Sequence, residues 1–302
     1  MSEWRKYMEE LNQLSRTISK KPYFISDVNP YVLIFKNPHQ NGIWHLYFNS
    51  HTDSGSVWMH LIEGKDRALM IDTAFGIGDL KGLVESLTTK PYDVINTHFH
   101  GDHSGGNGQF QKVFIHEYDV PYLKESLADD RRLLPAEDFY VKEDIIPNSF
   151  YEVVGVKEGY KFRLGDDEEV EVVHMPGHAA GGCMLFYHKR HMLFSGDAIL
   201  ATPTLILDKF PATNHTECLT VTAFRNALQK LEPHFNEVER IYPGHGKLDL
   251  DSSYLTDMLD CCSAVIEAPE DYELYDYVTD QDQRQIKCVG KAMIVYSASR
   301  VS

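Results

Sequence analysis

The seven residues Thr97-His98-Phe99-His100-Gly101-Asp102-His103 include three imidazoles and a carboxylate, side chains that bind divalent transition ions. The run before them, residues 92–96, is short and partly apolar, the pattern of a buried strand that ends at a sheet edge. Alternate residues of an extended chain point to one side, so His98 and His100 reach the same ion. Gly101 permits a sharp turn, and Asp102 and His103 then arrive from a new direction, displaced from the first ion and placed to begin a second site. One short segment therefore seeds two adjacent metal sites. The competing explanation is a histidine-rich loop without metal, which requires these four ligand types to fall at these offsets by chance in a chain with 15 histidines among 302 residues.

Three further candidates share a context: each follows an apolar strand and stands beside glycine. They are His178 after Met175-Pro176-Gly177, Asp197 after Phe194-Ser195-Gly196, and His245 after Tyr242-Pro243-Gly244. Glycine there lets the backbone turn tightly and approach a crowded site. Singly, each reads as an ordinary turn or strand exit. Together, in this order and at these intervals with the segment 97–103, they resemble the metallo-β-lactamase superfamily, and the similarity covers about residues 30–250.

The resemblance implies an α/β fold of the α+β kind, a four-layer αββα sandwich with the site at one edge between two sheets. Carried over motif by motif, it implies that His98, His100 and His178 hold one metal, that Asp102, His103 and His245 hold the other, and that Asp197 bridges them. Asp72, in Met70-Ile71-Asp72-Thr73, resembles the aspartate that orients a ligand in this family. The bridging position carries aspartate where the commonest zinc β-lactamases carry cysteine, so the pattern lies closer to glyoxalase II, the lactonases and ribonuclease Z than to antibiotic hydrolysis. Glyoxalase II itself places a helical domain with cationic contacts after the bridging aspartate, whereas this tail is acidic.

Two divalent ions that share a water lower its pKa to about 7 and make hydroxide available at neutral pH. The expected function is hydrolysis of a small ester, thioester or lactone. Asp102 and Asp197 are the catalytic candidates, chiefly as ligands, with Asp102 also placed to pass a proton to the leaving group. Zinc is the expected metal, with iron or manganese as alternatives for the same donor set. The alternative functions are a small-molecule phosphodiesterase, a mononuclear iron persulfide dioxygenase that leaves some ligands vacant, and a non-enzymatic binding subunit. His116 and His174, beside strand ends, are either orienting partners of the ligands or structural histidines. Trp44, Trp58 and His51 on one side, with Phe210 and His215 on the other, are the candidate substrate contacts. Specificity is expected to reside in the loops 37–57 and 201–215 and in the segment 117–150.

The balance of 29 basic against 45 acidic residues gives a formal charge of −16, a field that repels nucleic acid and anionic membranes. A small-molecule partner is expected instead, with the oligomeric state open and a homodimer among the options. No run of about 18 apolar residues and no charged-then-apolar leader appears, and the five cysteines form no pairing pattern, so a cytoplasmic protein is expected.

A single domain over 1–302 is the expected organisation. An amphipathic helix at 3–18 precedes an antiparallel meander of strands at 31–36, 43–49, 57–62 and 68–72. A helix at 76–87 and the strand 92–96 make a strand–helix–strand unit, followed by a strand at 113–115 and a surface insertion at 117–150. Strands are then expected at 151–154, 170–174, 183–187, 191–194 and 238–242, with a helix at 216–231. A helix from 251 to 267, stopped by Pro269, and a hairpin at 286–296 complete the tail.

Overall fold

A computed structural model describes residues 23–50, 55–128, 140–208, 214–275 and 284–302. The helix expected at 3–18 lies outside the described residues. The described chain divides at Val172/Val173 into two compact units.

The first unit carries an eight-stranded sheet whose strands follow chain order: β1 (Phe24–Ile25), β2 (Val32–Lys36), β3 (Ile43–Phe48), β4 (Val57–Glu63), β5 (Ala68–Ile71), β6 (Tyr92–Ile95), β7 (Lys112–His116) and β8 (Glu152–Val156). The first five pair antiparallel, the expected meander, and the last three run parallel to β5 and to one another. Period-two alternation divides the faces. Leu46, Phe48, Val57, Met59 and Leu61 enter a core with Leu80, Leu83 and Val84 of helix α1 (Leu80–Leu87).

Helix α1 begins four residues later than its apolar spacing predicts. Gly76 and Gly78 both take positive φ, 78° and 72°, so the chain is not helical there. Asp79 then caps the first turn, its Oδ1 accepting from Gly82 N at 2.7 Å. A Cβ at Gly78 would lie only 2.5 Å from Asn29 Oδ1, so the position has no room for a side chain.

The opposite face of β3 and β4 carries Tyr47 and Trp58, whose rings stand 4.3 Å apart, and Phe35 of β2 lies 5.4 Å from Trp58. Beside them His45 and His60, a cross-strand pair, are buried and share a 2.9 Å Nδ1···Nδ1 hydrogen bond. Asn37 sets its direction. Its Oδ1 accepts from the backbone N–H of His39 and Gln40, so its amide NH2 donates to His45 Nε2 and leaves the His45 proton on Nδ1, facing His60.

The segment 117–150 begins with a 3-10 turn and helix α3 (Val120–Ala128). Its last part lies along the loop before α1: Gly78 N donates to Asp144 O, Ile146 N donates to Gly76 O, and Tyr31 OH donates to the Asp144 carboxylate at 2.5 Å. The hairpin β9 (Lys161–Gly165) and β10 (Glu168–His174) completes this unit, with the last residues of β10, Val173 and His174, counted in the next.

In the second unit β11 (Cys183–Tyr187) and β12 (Met192–Gly196) are antiparallel, β14 (Arg240–Pro243) runs parallel to β12, and the short β15 (Leu250–Asp251) closes against β14. A second sheet has the order β13 (Thr204–Ile206), β18 (Ala292–Tyr296), β17 (Arg284–Val289), β16 (Glu273–Tyr275). Helices α4 (Val221–Leu231) and α5 (Ser253–Glu267) bury Phe224, Leu228, Leu255, Met258 and Val265 among the strands. Helix α4 starts five residues after the predicted point because Thr220 is its cap, accepting from Ala223 N at 3.0 Å, and residues 216–218 form a separate 3-10 turn. All five cysteines are thiols. Burial pushes that of Cys261 up to about 12, and that of the adjacent Cys262 also rises.

The start of α5 is tied to the final hairpin by Lys291 Nζ, 2.7 Å from Asp251 Oδ2. That contact, with Ser253, lowers the Asp251 carboxyl from 3.8 to about 2. A depressed folded-state pKa contributes stability above about pH 4, and the contribution is lost as pH falls through about 2. Both side chains are about half exposed, so solvent screening holds the contribution below about 1 kcal/mol. Asp251→Asn is expected to lower the Tm at pH 7 by roughly 1–2 °C, with the gap from the parent narrowing between about pH 4 and pH 2.5. Thermal scans showing the same gap at every pH would remove the ion pair as its cause.

Candidate metal centre

In the first unit the ligand candidates occupy the turn after β6. His98 and His100 stand with His98 Nε2 2.9 Å from His100 Nδ1, but residues 97–99 bend, so it is this turn and not the alternation of an extended strand that brings them together. Gly101 opens a single helical turn, α2 (Gly101–Ser104), which carries Asp102 and His103 with His103 Nε2 3.7 Å from Asp102 Oδ2.

Asp72, at the end of β5, organises this turn. Its Oδ1 accepts from Thr97 N at 2.7 Å, and its Oδ2 accepts from the Thr97 hydroxyl at 2.9 Å and from His103 Nδ1 at 2.8 Å. The consequence for protonation is definite. The single Thr97 hydroxyl proton goes to the carboxylate, so Thr97 Oγ1 accepts from His98 Nδ1 at 3.1 Å. His98 and His103 are thereby both held with the proton on Nδ1 and the lone pair on Nε2. Asp72 adopts φ 62°, a conformation aspartate tolerates better than most residues.

In the second unit the loop after β10 carries His178 and closes on itself: Met175 N donates to Gly182 O at 2.7 Å, and His174 Nε2 donates to Ala180 O at 2.9 Å. Gly177 has φ 133°, and a Cβ there would lie 2.8 Å from that of Phe224. His178 Nδ1 donates to Leu205 O of β13 at 2.7 Å, so its lone pair too is on Nε2. Asp197 follows β12 and His245 follows β14. The parallel pairing of those strands shifts register between Phe194 and Gly196, and Gly244 N donates to Gly196 O at 2.8 Å. His178 Nε2 and His245 Nε2 each stand 3.5 Å from Asp197 Oδ2.

These distances allow a test of fit. Ligand atoms about 2.0–2.2 Å from one tetrahedral ion stand roughly 3.3–3.5 Å apart. Asp197 Oδ2 meets that separation with two different imidazoles, as an oxygen shared between two ions does. The imidazole and carboxylate donors and their fixed tautomers fit divalent metal.

Other contacts at the turn carry no signal in the sequence. Asn96 Nδ2 and Thr73 N both donate to His103 O, at 2.9 and 2.8 Å, and Asn107 links Asn96 to Thr73, its Nδ2 donating to Asn96 Oδ1 at 2.7 Å and its Oδ1 accepting from Thr73 Oγ1 at 2.8 Å. Asp119, fully buried, accepts from Phe99 N at 3.2 Å. His116 caps the 3-10 turn that bears Asp119, accepting from Tyr118 N at 3.4 Å. The Phe99 ring stacks on Tyr122 of α3 at 4.1 Å and lies 4.6 Å from the His100 ring.

Among the expected substrate contacts, Trp58 is 1% exposed between Phe35 and Tyr47 and is taken up by the core. Trp44 is half-buried against the core beneath the first sheet. His215 is half-buried with Nδ1 3.4 Å from Glu217 Oε1. His51 and Phe210 lie outside the described residues.

Residues 52–275 match the metallo-beta-lactamase superfamily, and the chain belongs to it. The human acyl-coenzyme A thioesterase MBLAC2 is 27% identical over 164 residues, 48% of this chain and 58% of the relative, so the match spans little more than half of that protein. The chicken protein of the same name is 26% identical over 208 residues, 63% of this chain and 72% of that one. A hydroxyacylglutathione hydrolase from Methylococcus capsulatus is 30% identical over 108 residues, 36% of this chain and 34% of the relative. Among solved structures, a metallo-beta-lactamase from Pontibacter korlensis aligns with a TM-score of 0.54 at 18% identity, over 77% of this chain and 99% of that one. The likeness establishes the metallo-β-lactamase fold, of the α+β class.

Proposed function

We propose that this chain is a cytoplasmic, binuclear zinc hydrolase of small acyl thioesters. The observation that carries the reading is the set of fixed tautomers: His98, His103 and His178 each commit Nδ1–H to a partner and keep the Nε2 lone pair for a metal. Support for a thioester comes from the names of the relatives, acyl-coenzyme A thioesterase and hydroxyacylglutathione hydrolase. In this reading His98, His100 and His178 hold one ion, Asp102, His103 and His245 the other, and Asp197 both.

A divalent pair, when bound, supplies Lewis acidity and hydroxide at neutral pH. Asp197 holds His178 and His245 at one spacing from a single oxygen. Asp102, 18% exposed, is the group positioned to carry a proton towards the leaving sulfur as the carbon–sulfur bond breaks. A thiolate is a stable leaving group, so that proton transfer is less demanding than for an alkoxide. Phe99 and Tyr122 supply apolar surface for the acyl portion beside His100.

The test is a parallel assay of acyl-coenzyme A, acyl-glutathione, a lactone and bis-p-nitrophenyl phosphate, with metal analysis of the same preparation. Two zinc ions per chain and the highest kcat/KM on a thioester are expected. Preference for the phosphodiester, or one iron with oxygen consumption, would replace this reading with another.

A further inference from the structure

At the opposite end of the strands that deliver Asp197 and His245 stands a group of two imidazoles and a carboxylate. Both β12 and β14 run towards the ligand residues at their C-terminal ends, and five residues of strand span about 16 Å. Before their N-terminal ends lie His188, in the connection from β11 to β12, and His234 and Glu237, in the 3-10 turn between α4 and β14.

The Glu237 carboxylate is forked between the two imidazoles, with Oε1 2.7 Å from His234 Nδ1 and Oε2 3.6 Å from His188 Nδ1. Their ring centres are 6.4 Å apart. The frame around them is fixed. His191 Nδ1 donates to Glu237 O at 2.9 Å, and His191 O accepts from Glu239 N and Arg240 N, at 2.9 and 3.3 Å. Phe186 lies against the His188 ring at 3.8 Å, and Arg190 is held over the Tyr187 ring. The two imidazoles hold the Glu237 carboxyl below the usual carboxylate range, His234 more than His188, so it is an anion at neutral pH.

We propose that His188, His234 and Glu237 form a surface site for a divalent transition ion, zinc or copper, separate from the metal centre of the superfamily motifs. Two imidazoles and one carboxylate are a donor set for such ions, with remaining positions open to water. Two imidazoles on one tetrahedral ion place their ring centres about 5 Å apart, so these rings must close by about 1 Å. Both side chains are between a third and a half exposed, and rotation about their own χ angles supplies that movement. The acidic chain as a whole raises the local concentration of cations. The bound ion would staple the β11–β12 connection to the turn before β14 and stabilise the folded chain by linkage.

The experiment is equilibrium dialysis against Zn2+, using full-length protein that retains its tightly held metal. One additional equivalent is expected with micromolar affinity, together with a zinc-dependent rise in Tm. Glu237→Gln and His234→Ala should each weaken that equivalent by at least about tenfold while leaving the tight metal and hydrolytic turnover unchanged. His39→Ala, at an exposed histidine elsewhere, should leave it unaltered. Absence of the additional equivalent, or equal uptake by the parent and both variants, would overturn the site without bearing on the hydrolase reading.

Discussion

Asp197→Ala is expected to lower kcat/KM on the preferred thioester by at least about a thousandfold and to reduce bound metal by at least one equivalent per chain. The size of the effect follows from the shared position of one oxygen. Asp197 Oδ2 stands at 3.5 Å from Nε2 of both His178 and His245, so its removal would take one ligand from each of the two ions that these imidazoles are proposed to hold. The backbone that carries it is independently secured by the parallel pairing of β12 with β14 and by the Gly244 N to Gly196 O bond, so the variant should fold. Measurement of zinc by mass spectrometry beside thioester kinetics separates the two effects. Full metal content with parental turnover would remove Asp197 from the centre altogether.

The second large effect is expected at Asp72, a residue outside the ligand set. Asp72→Asn changes one oxygen to NH2 and retains the side chain's shape. If the amide oxygen continues to accept from Thr97 N, the NH2 occupies the place of Oδ2 and faces Thr97 Oγ1 and His103 Nδ1. Two donors cannot face each other, so His103 is driven to the tautomer with its proton on Nε2, and its metal-binding lone pair is lost. Loss of a partner that orients a ligand typically costs 10–100-fold in metal affinity. Metal affinity in Asp72→Asn should fall by about that range while the Tm changes by only a few degrees. Asp72→Ala should be worse: it leaves buried donors unsatisfied at about 1–3 kcal/mol each and places alanine at φ 62°. Chelator competition and thermal unfolding on both variants provide the check. Equal metal affinity in the parent and Asp72→Asn would show that the carboxylate holds the fold alone.

The candidate site was legible in the sequence to the extent that its chemistry is local. The offsets within 97–103 keep His98 close to His100 and let Gly101 open the turn that carries Asp102 and His103, although the first pair is brought together by a bend and not by the extended strand its spacing suggested. Glycine before His178, Asp197 and His245 marked tight turns, and Gly177 and Gly196 adopt positive φ. The meander and the strand–helix–strand unit were likewise written in apolar periodicity, which is a short-range property.

What the tertiary structure alone decided are the contacts between segments distant in sequence. The orientation of His178 depends on Leu205 O, in a three-residue strand with no periodic signal that pairs with β18 about ninety residues later. The tautomers of His98 and His103 depend on both Asp72 oxygens being taken up by a turn some 25–31 residues away. Trp58 carries the same sequence signal whether it lines a pocket or fills a core, and only its packing between Phe35 and Tyr47 tells them apart. Residue type and spacing determine which atoms can bind a metal; the hydrogen-bond partner on each imidazole's far side, fixed by long-range packing, determines which nitrogen keeps its lone pair.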